Sequence, residues 1–230
     1  MGPTGAPTEI VPGETVLLAG GGLGNAVLFS IAKGMKEAGC RFIYFAGYKK
    51  PGDFFKREEI EAGTDVVIYS VDKGEPIPTR RPQDRTLVAN IVQAMLAYAK
   101  GSLGPPTIRL DECDRIIVIG SDLMMAAVTR ARHAVLEPYL KPGHVAVASI
   151  NSPMQCMMKE VCAQCLQRHV DPLTGEETIV FSCFNQDQPA DRVDWAFLNQ
   201  RLRQNTMHEK LTNLWLERLL TLGDPAHIAR

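Results

Sequence analysis

The sequence predicts an α/β protein: a mostly parallel sheet covered by helices on both faces, then a small cysteine-bearing segment and a helical C-terminal part. Three observations predict it. Short apolar runs alternate with stretches of helical period over the first two thirds of the chain. A glycine-rich turn joins the first apolar run to the first helix. The composition then changes after Asn151, with four of the six cysteines lying between 156 and 183. The implied segments are 1–150, 151–192 and 193–230.

Each element has its own signal. Residues 15–19 are a short apolar run ending in glycines, as a strand buried on both faces requires. Residues 25–36 carry helical spacing, with Val27, Leu28, Ile31 and Met35 on one side. Residues 41–45 and 65–69 read as further strands, with a short helix at 54–61 between them. A loop holding Pro76, Pro78 and Pro82 follows, and then a helix over 86–100 with Leu87, Ile91, Ala94, Met95 and Tyr98 as its apolar stripe. Residues 115–119 and 145–149 are strands around a helix at 123–136. Strands alternating with helices imply βαβ units. Beyond Asn151, a hairpin-like segment at 177–182 follows the turn signal Asp171-Pro172-Leu173-Thr174-Gly175. From Val193 the chain is polar and helical, with Trp195, Leu198, Leu202, Leu211, Leu214, Trp215 and Leu219 as expected contacts to the rest.

Composition excludes several classes. The 230 residues are 45% hydrophobic and 22% charged, which allows a substantial core. A net charge of -1 gives no basic field for nucleic acid. No apolar run is long enough to span a bilayer, and the N-terminus has neither the charged nor the apolar region of a signal peptide. The expected compartment is therefore the cytoplasm, where clustered cysteines serve as metal ligands or catalytic thiols rather than disulfides.

The turn after the first strand contains Gly20, Gly21, Gly22 and Gly24. Glycines there permit a tight turn and let a pyrophosphate approach the backbone, while the next helix offers unpaired N–H groups and a positive dipole end. Val27 breaks the strict G-x-G-x-x-G fingerprint, and no Gly-Lys-Ser/Thr follows. A turn needed only for packing is the competing account. Gly120 and Ser121 make a second strand-to-helix turn of the same placement. Asp72, after the third strand, is placed to accept ribose hydroxyls, or else is a turn aspartate bonding its own backbone. Lys49, Lys50, Arg80 and Arg81 are candidates for a 2′-phosphate, so NADH against NADPH stays open.

Cys156, Cys162, Cys165 and Cys183 follow C-x5-C-x2-C-x17-C. The close pair puts two thiolates on one loop, and the fourth closes the site from a later strand. Plant-type [2Fe-2S] proteins use a related spacing. A structural zinc with the same four ligands is the alternative, although such sites usually carry two closely spaced pairs. Cys40 and Cys113 fall in core elements and read as inert thiols. His169 follows Cys165 by four residues and reads as a surface-loop histidine. Met124-Met125 and Met157-Met158 read as packing residues.

Four motifs together resemble the ferredoxin-NADP reductase superfamily, in its branch with a terminal [2Fe-2S] domain. They are Gly2-Pro3-Thr4-Gly5, Leu18 to Gly24, Ser149 to Met154, and Cys162-Ala163-Gln164-Cys165 with Phe181-Ser182-Cys183 and Val193-Asp194-Trp195. That branch includes the electron-transfer subunit of class B dihydroorotate dehydrogenase and the small subunit of NADH-dependent ferredoxin:NADP oxidoreductase. The resemblance implies a ferredoxin-reductase-type nucleotide domain for NAD(P)H and a [2Fe-2S] cluster on the four cysteines. It also implies an FAD from a partner flavoprotein or from a preceding domain, because the family's flavin barrel has no counterpart in this sequence. Where the family usually has proline after the glycine loop this chain has Asn25-Ala26-Val27, and Ile119-Gly120-Ser121 replaces a Cys-Gly-Pro turn. The expected role is an electron-transfer oxidoreductase component, inactive alone, working with a partner subunit that Trp195 and Trp215 would contact. The alternative is a non-catalytic assembly subunit with a four-cysteine zinc site.

Overall fold

The computed structural model describes residues 5–150, 156, 159 and 161–222. The side chains at 204–206, 208 and 209 fall outside that description, as do most of the Gly2–Gly5 and Ser149–Met154 motifs and Met157-Met158. The main sheet has seven strands in the order β4-β3-β2-β1-β5-β6-β9. These are β1 (Thr15–Gly21), β2 (Arg41–Tyr48), β3 (Val66–Val71), β4 (Arg85–Val88), β5 (Arg115–Ile119), β6 (Val145–Ser149) and β9 (Asp187–Pro189). All neighbours are parallel except β9, which runs antiparallel to β6. A separate two-stranded sheet pairs β7 (Leu166–Val170) with β8 (Glu177–Phe181).

The order of strands puts β1 at the centre, and its sequence explains why. Val16, Leu17, Leu18 and Ala19 are all 0% exposed. Leu17 and Ala19 face one core cluster, Val16 and Leu18 the other, so this strand is the wall between two hydrophobic layers. Each fully buried leucine is worth about 2 kcal/mol of apolar transfer. Helices α1 (Asn25–Glu37) and α2 (Arg57–Gly63) cover one face; α3 (Ile91–Ala99) and α4 (Asp122–Arg132) cover the other.

Residues 86–88, expected to begin a helix, form the edge strand β4 instead. Asn90 explains the break: its side chain accepts from the Gln93 backbone while Gln93 answers onto the Asn90 N–H, a reciprocal cap that starts α3 at Ile91. The helix expected over 123–136 ends at Arg132, turn residues follow over 133–136, and a short 3-10 turn spans Glu137–Tyr139. Pro189 sits in β9 at the sheet's outer edge, where a missing N–H costs nothing.

Among its described residues, the C-terminal helix α5 (Trp195–Leu222) is anchored at its beginning. Trp195, Leu198 and Leu202 pack against the core, whereas Leu211, Leu214, Trp215 and Leu219 are exposed rather than in contact with the rest. Among the described residues no helix is long and apolar enough to cross a membrane.

Candidate nucleotide cleft and cysteine site

A cavity of about 1350 Å³ opens along the carboxyl edge of the sheet. It is lined by Gly21, Gly22, Gly24, Asp72, Gly120 and Ser121, so six of the seven residues proposed for the nucleotide meet in one place. They meet because β1, β3 and β5 run parallel and end at the same edge of the sheet, with β2 between β3 and β1. Gly20 does not line it; it is packed beneath, where an added Cβ would lie 2.0 Å from the Asn25 Oδ1. At Gly24 a Cβ would meet the Ile119 carbonyl oxygen at 2.4 Å and its carbon at 2.7 Å, both rigid backbone. Gly22 has φ +55, the left-handed region that favours glycine.

Asn25, absent from the expected set, fixes this loop. Fully buried, it donates from Nδ2 to the Gly22 carbonyl at 3.0 Å and the Gly47 carbonyl at 3.1 Å. Its Oδ1 accepts from the Tyr44 hydroxyl at 2.7 Å. One side chain thus ties the end of β1 to the end of β2. The signal was available in the sequence as the polar residue standing in an otherwise apolar helix start. Helix α1 begins at this loop, and α4 begins at Ser121, whose hydroxyl accepts from the Met124 N–H at 3.3 Å. Two helix N-termini therefore open onto the same cleft, an arrangement suited to an anionic group.

The basic candidates separate. Lys49 lines the cleft. Arg81 does not: its guanidinium forks onto Asp84 at 2.8 Å and donates to the carbonyls of Glu61 and Thr64. Asp84 in turn accepts from the Val67 N–H, so Arg81 braces the start of β3 and is committed to structure. Arg80 lies 3.9 Å from Glu58 on the surface.

All six cysteines are free thiols. Burial pushes the Cys113 thiol up to about 12, in keeping with an inert core residue, and Cys40 donates its thiol to the Val11 carbonyl. The other four form two couples. The backbone N–H groups of Cys162 and Val161 donate to the Cys156 sulfur, and with help from the Cys162 thiol they bring Cys156 down to about 6, a thiolate at neutral pH. Burial, then the neighbouring Cys165, pushes Cys183 up to about 11, and Cys156 adds to the rise through space. Among the described residues no three Cys, His, Asp or Glu side chains are gathered tightly enough to hold an ion. The donor chemistry nevertheless fits a soft metal centre: four free thiols, one already ionised, with backbone N–H groups aimed at sulfur. Ala163, between Cys162 and Cys165, has φ 54, a strained conformation for a residue with a Cβ.

His169 lies on β7, not in a surface loop, and is buried. Its Nε2 and both amide atoms of the neighbouring inward residue Gln167 have no partner, nor has the buried indole N–H of Trp195. Trp195 therefore packs partly against the core. The first turns of α5 join the two sites: Leu202 lines the cleft, and Arg201 donates to the Ala163 carbonyl in the cysteine loop.

No family model matches the sequence. It is 38% identical over 223 residues to the dihydroorotate dehydrogenase B (NAD(+)) electron transfer subunit homolog of Thermotoga maritima, an alignment covering 92% of this chain and 64% of that protein. The chain thus spans a little under two thirds of that relative's length. It is 34% identical over 64 residues to the corresponding electron transfer subunit of Bacillus velezensis, covering 28% of this chain and 25% of the relative. Among solved structures, an NADH-dependent reduced ferredoxin-NADP oxidoreductase superposes with a TM-score of 0.68 at 26% identity, over 96% of this chain and 67% of the other.

Proposed function

From the premise that this chain is a homologue of dihydroorotate dehydrogenase B electron-transfer subunits with a ferredoxin-reductase-type α/β fold, we propose that it passes electrons between a nicotinamide nucleotide and a [2Fe-2S] cluster. The nucleotide would lie in the glycine-walled cleft, and Cys156, Cys162, Cys165 and Cys183 would hold the cluster. A flavin supplied elsewhere belongs between them. When bound, the nucleotide gives two electrons as a hydride while an iron–sulfur cluster exchanges one, and a flavin converts between the two.

The chain's own residues then have defined work. The N-termini of α1 and α4 would bind pyrophosphate, and Gly21 and Gly24 let the loop pack tightly beneath it, since a Cβ at Gly21 would meet the Met124 sulfur and one at Gly24 the Ile119 carbonyl. Asp72 would accept from ribose hydroxyls, and Asn25 keeps the loop shaped for both. The N–H groups on Cys156 would set the cluster's potential. Val161 and Phe184, next to Cys162 and Cys183, are 77% and 56% exposed and give a redox partner an apolar landing. The observation that carries the reading is α5, which joins cleft and cysteine loop through adjacent residues, Leu202 and Arg201.

Anaerobic purification with its partner tests this. The expected product is coloured, with iron and acid-labile sulfide in equal amounts, and Cys183→Ser loses both. A colourless protein with zinc and no iron would sink the electron-transfer role in favour of an assembly subunit. Nucleotide binding is tested separately by thermal stabilisation with NADH or NADPH; no shift, even beside a flavoprotein partner, ends that half.

A further inference from the structure

The outer half of α5 exposes eight large apolar side chains that no other described residue covers, and five of them form a stripe apart from Leu216, Leu219 and Leu220. The helix turns about 100° per residue, which sets Met207, Leu211, Leu214, Trp215 and Leu222 along one side. Their exposures are 68%, 63%, 62%, 61% and 59%. The stripe lies on the side opposite to Leu198 and Leu202, the residues that fasten the helix to the core. It therefore faces away from the body and cannot fold back onto the surface that anchors its own base.

We infer that this stripe pairs with the same stripe of a second copy, as an antiparallel helix pair about a two-fold axis. The charges select that occupant. Lys210 and Glu217, both exposed, stand seven residues apart, two helical turns, and so flank the stripe on the same side. In an antiparallel pair equal flanks face each other, so Lys210 meets the partner copy's glutamate and Glu217 meets its lysine. The axis then passes between Asn213 and Leu214, in the middle of the stripe. One sequence thus supplies both halves of two symmetric ion pairs, as a self-complementary surface must. Arg218 lies within the stripe, its long stem able to carry the charge out past the leucines. Five such side chains cover about 500 Å² per copy and about 1000 Å² in a symmetric pair, the lower end for a specific interface, so the dimer is expected to be weak and concentration-dependent. The inference is independent of any cofactor.

Sedimentation of the full chain across a wide concentration series tests it. The wild type is expected to pass from monomer to dimer. Lys210→Glu sets glutamate against glutamate twice and should weaken the dimer about ten-fold. Adding Glu217→Lys restores opposite charges and should recover it, while Leu214→Asp abolishes it with the helical content of the body unchanged by circular dichroism. A chain that stays monomeric throughout overturns the inference. So does a dimer indifferent to Lys210→Glu, or one that the double exchange fails to restore, since a different partner or a different face would then own the stripe.

Discussion

The central sheet and the β7–β8 lobe are built on opposite principles. Around β1 the chain buries continuous apolar runs on both faces, and its Gly24 sits where backbone approaches closely. The lobe has two strands, an exposed outer face on β8, a left-handed Ala163, and inward-facing Gln167 and His169 with unmet hydrogen-bonding atoms. An isolated two-stranded sheet is marginal in water, and small units usually need a metal or cross-links. The sheet holds itself together; the lobe is expected to depend on what its four thiols bind.

The largest test of that contrast removes the metal centre proposed for Cys156, Cys162, Cys165 and Cys183. Chelation is expected to abolish amide protection across Leu166–Phe181 by hydrogen exchange while β1 and β5 keep theirs. Loss in both regions together would erase the distinction. Next, Leu17→Ala should cost the sheet about 3 kcal/mol in urea unfolding, through a cavity in the layer beside β1. Gly24→Ala should cost about 2 kcal/mol, since its methyl meets the rigid Ile119 carbonyl, and should also weaken nucleotide binding by ten-fold or more. Acid sharpens the comparison further. Burial depresses both His144, at the base of β6, and His169, on β7. A depressed histidine lends stability above its unfolded value of about 6.5 and loses it as pH falls through the folded value. The melting temperature should therefore drop from pH 7 towards about 5, with His169→Asn removing only the lobe's share. Smallest, Ala163→Gly should stabilise the metal-free chain by up to about 1 kcal/mol by relieving the left-handed backbone.

Strands with one overriding signal were legible: 115–119 and 145–149 match β5 and β6 to the residue, because uninterrupted apolar runs between polar breaks admit few alternatives. That the cleft glycines, Ser121 and Asp72 share one cavity was legible for a related reason, since parallel strands bring their carboxyl ends to one edge whatever the packing details. Residues 86–88 were misread because Leu87 keeps helical step with Ile91 and Met95, and only the Asn90–Gln93 cap reveals the break. Strand β9 is three residues long and owes its existence to the exposed edge of β6, a tertiary cause with no local trace. Arg81 looked like a free cation because its partners, Asp84 and two carbonyls, are set by the fold. Leu211, Leu214 and Trp215 read as contacts to the rest of the chain because periodicity reports an apolar face and is silent on what meets it.

The Asn25 side chain has one more effect. By gripping carbonyls at the ends of two different strands, it leaves the glycine loop no hinge about which to swing. Entry of a cofactor should then resemble a coin dropping into a slot, with little rearrangement of the walls. Occupancy would be governed by how fast the cofactor departs, and Asn25→Ala would surface first as a shortened residence time.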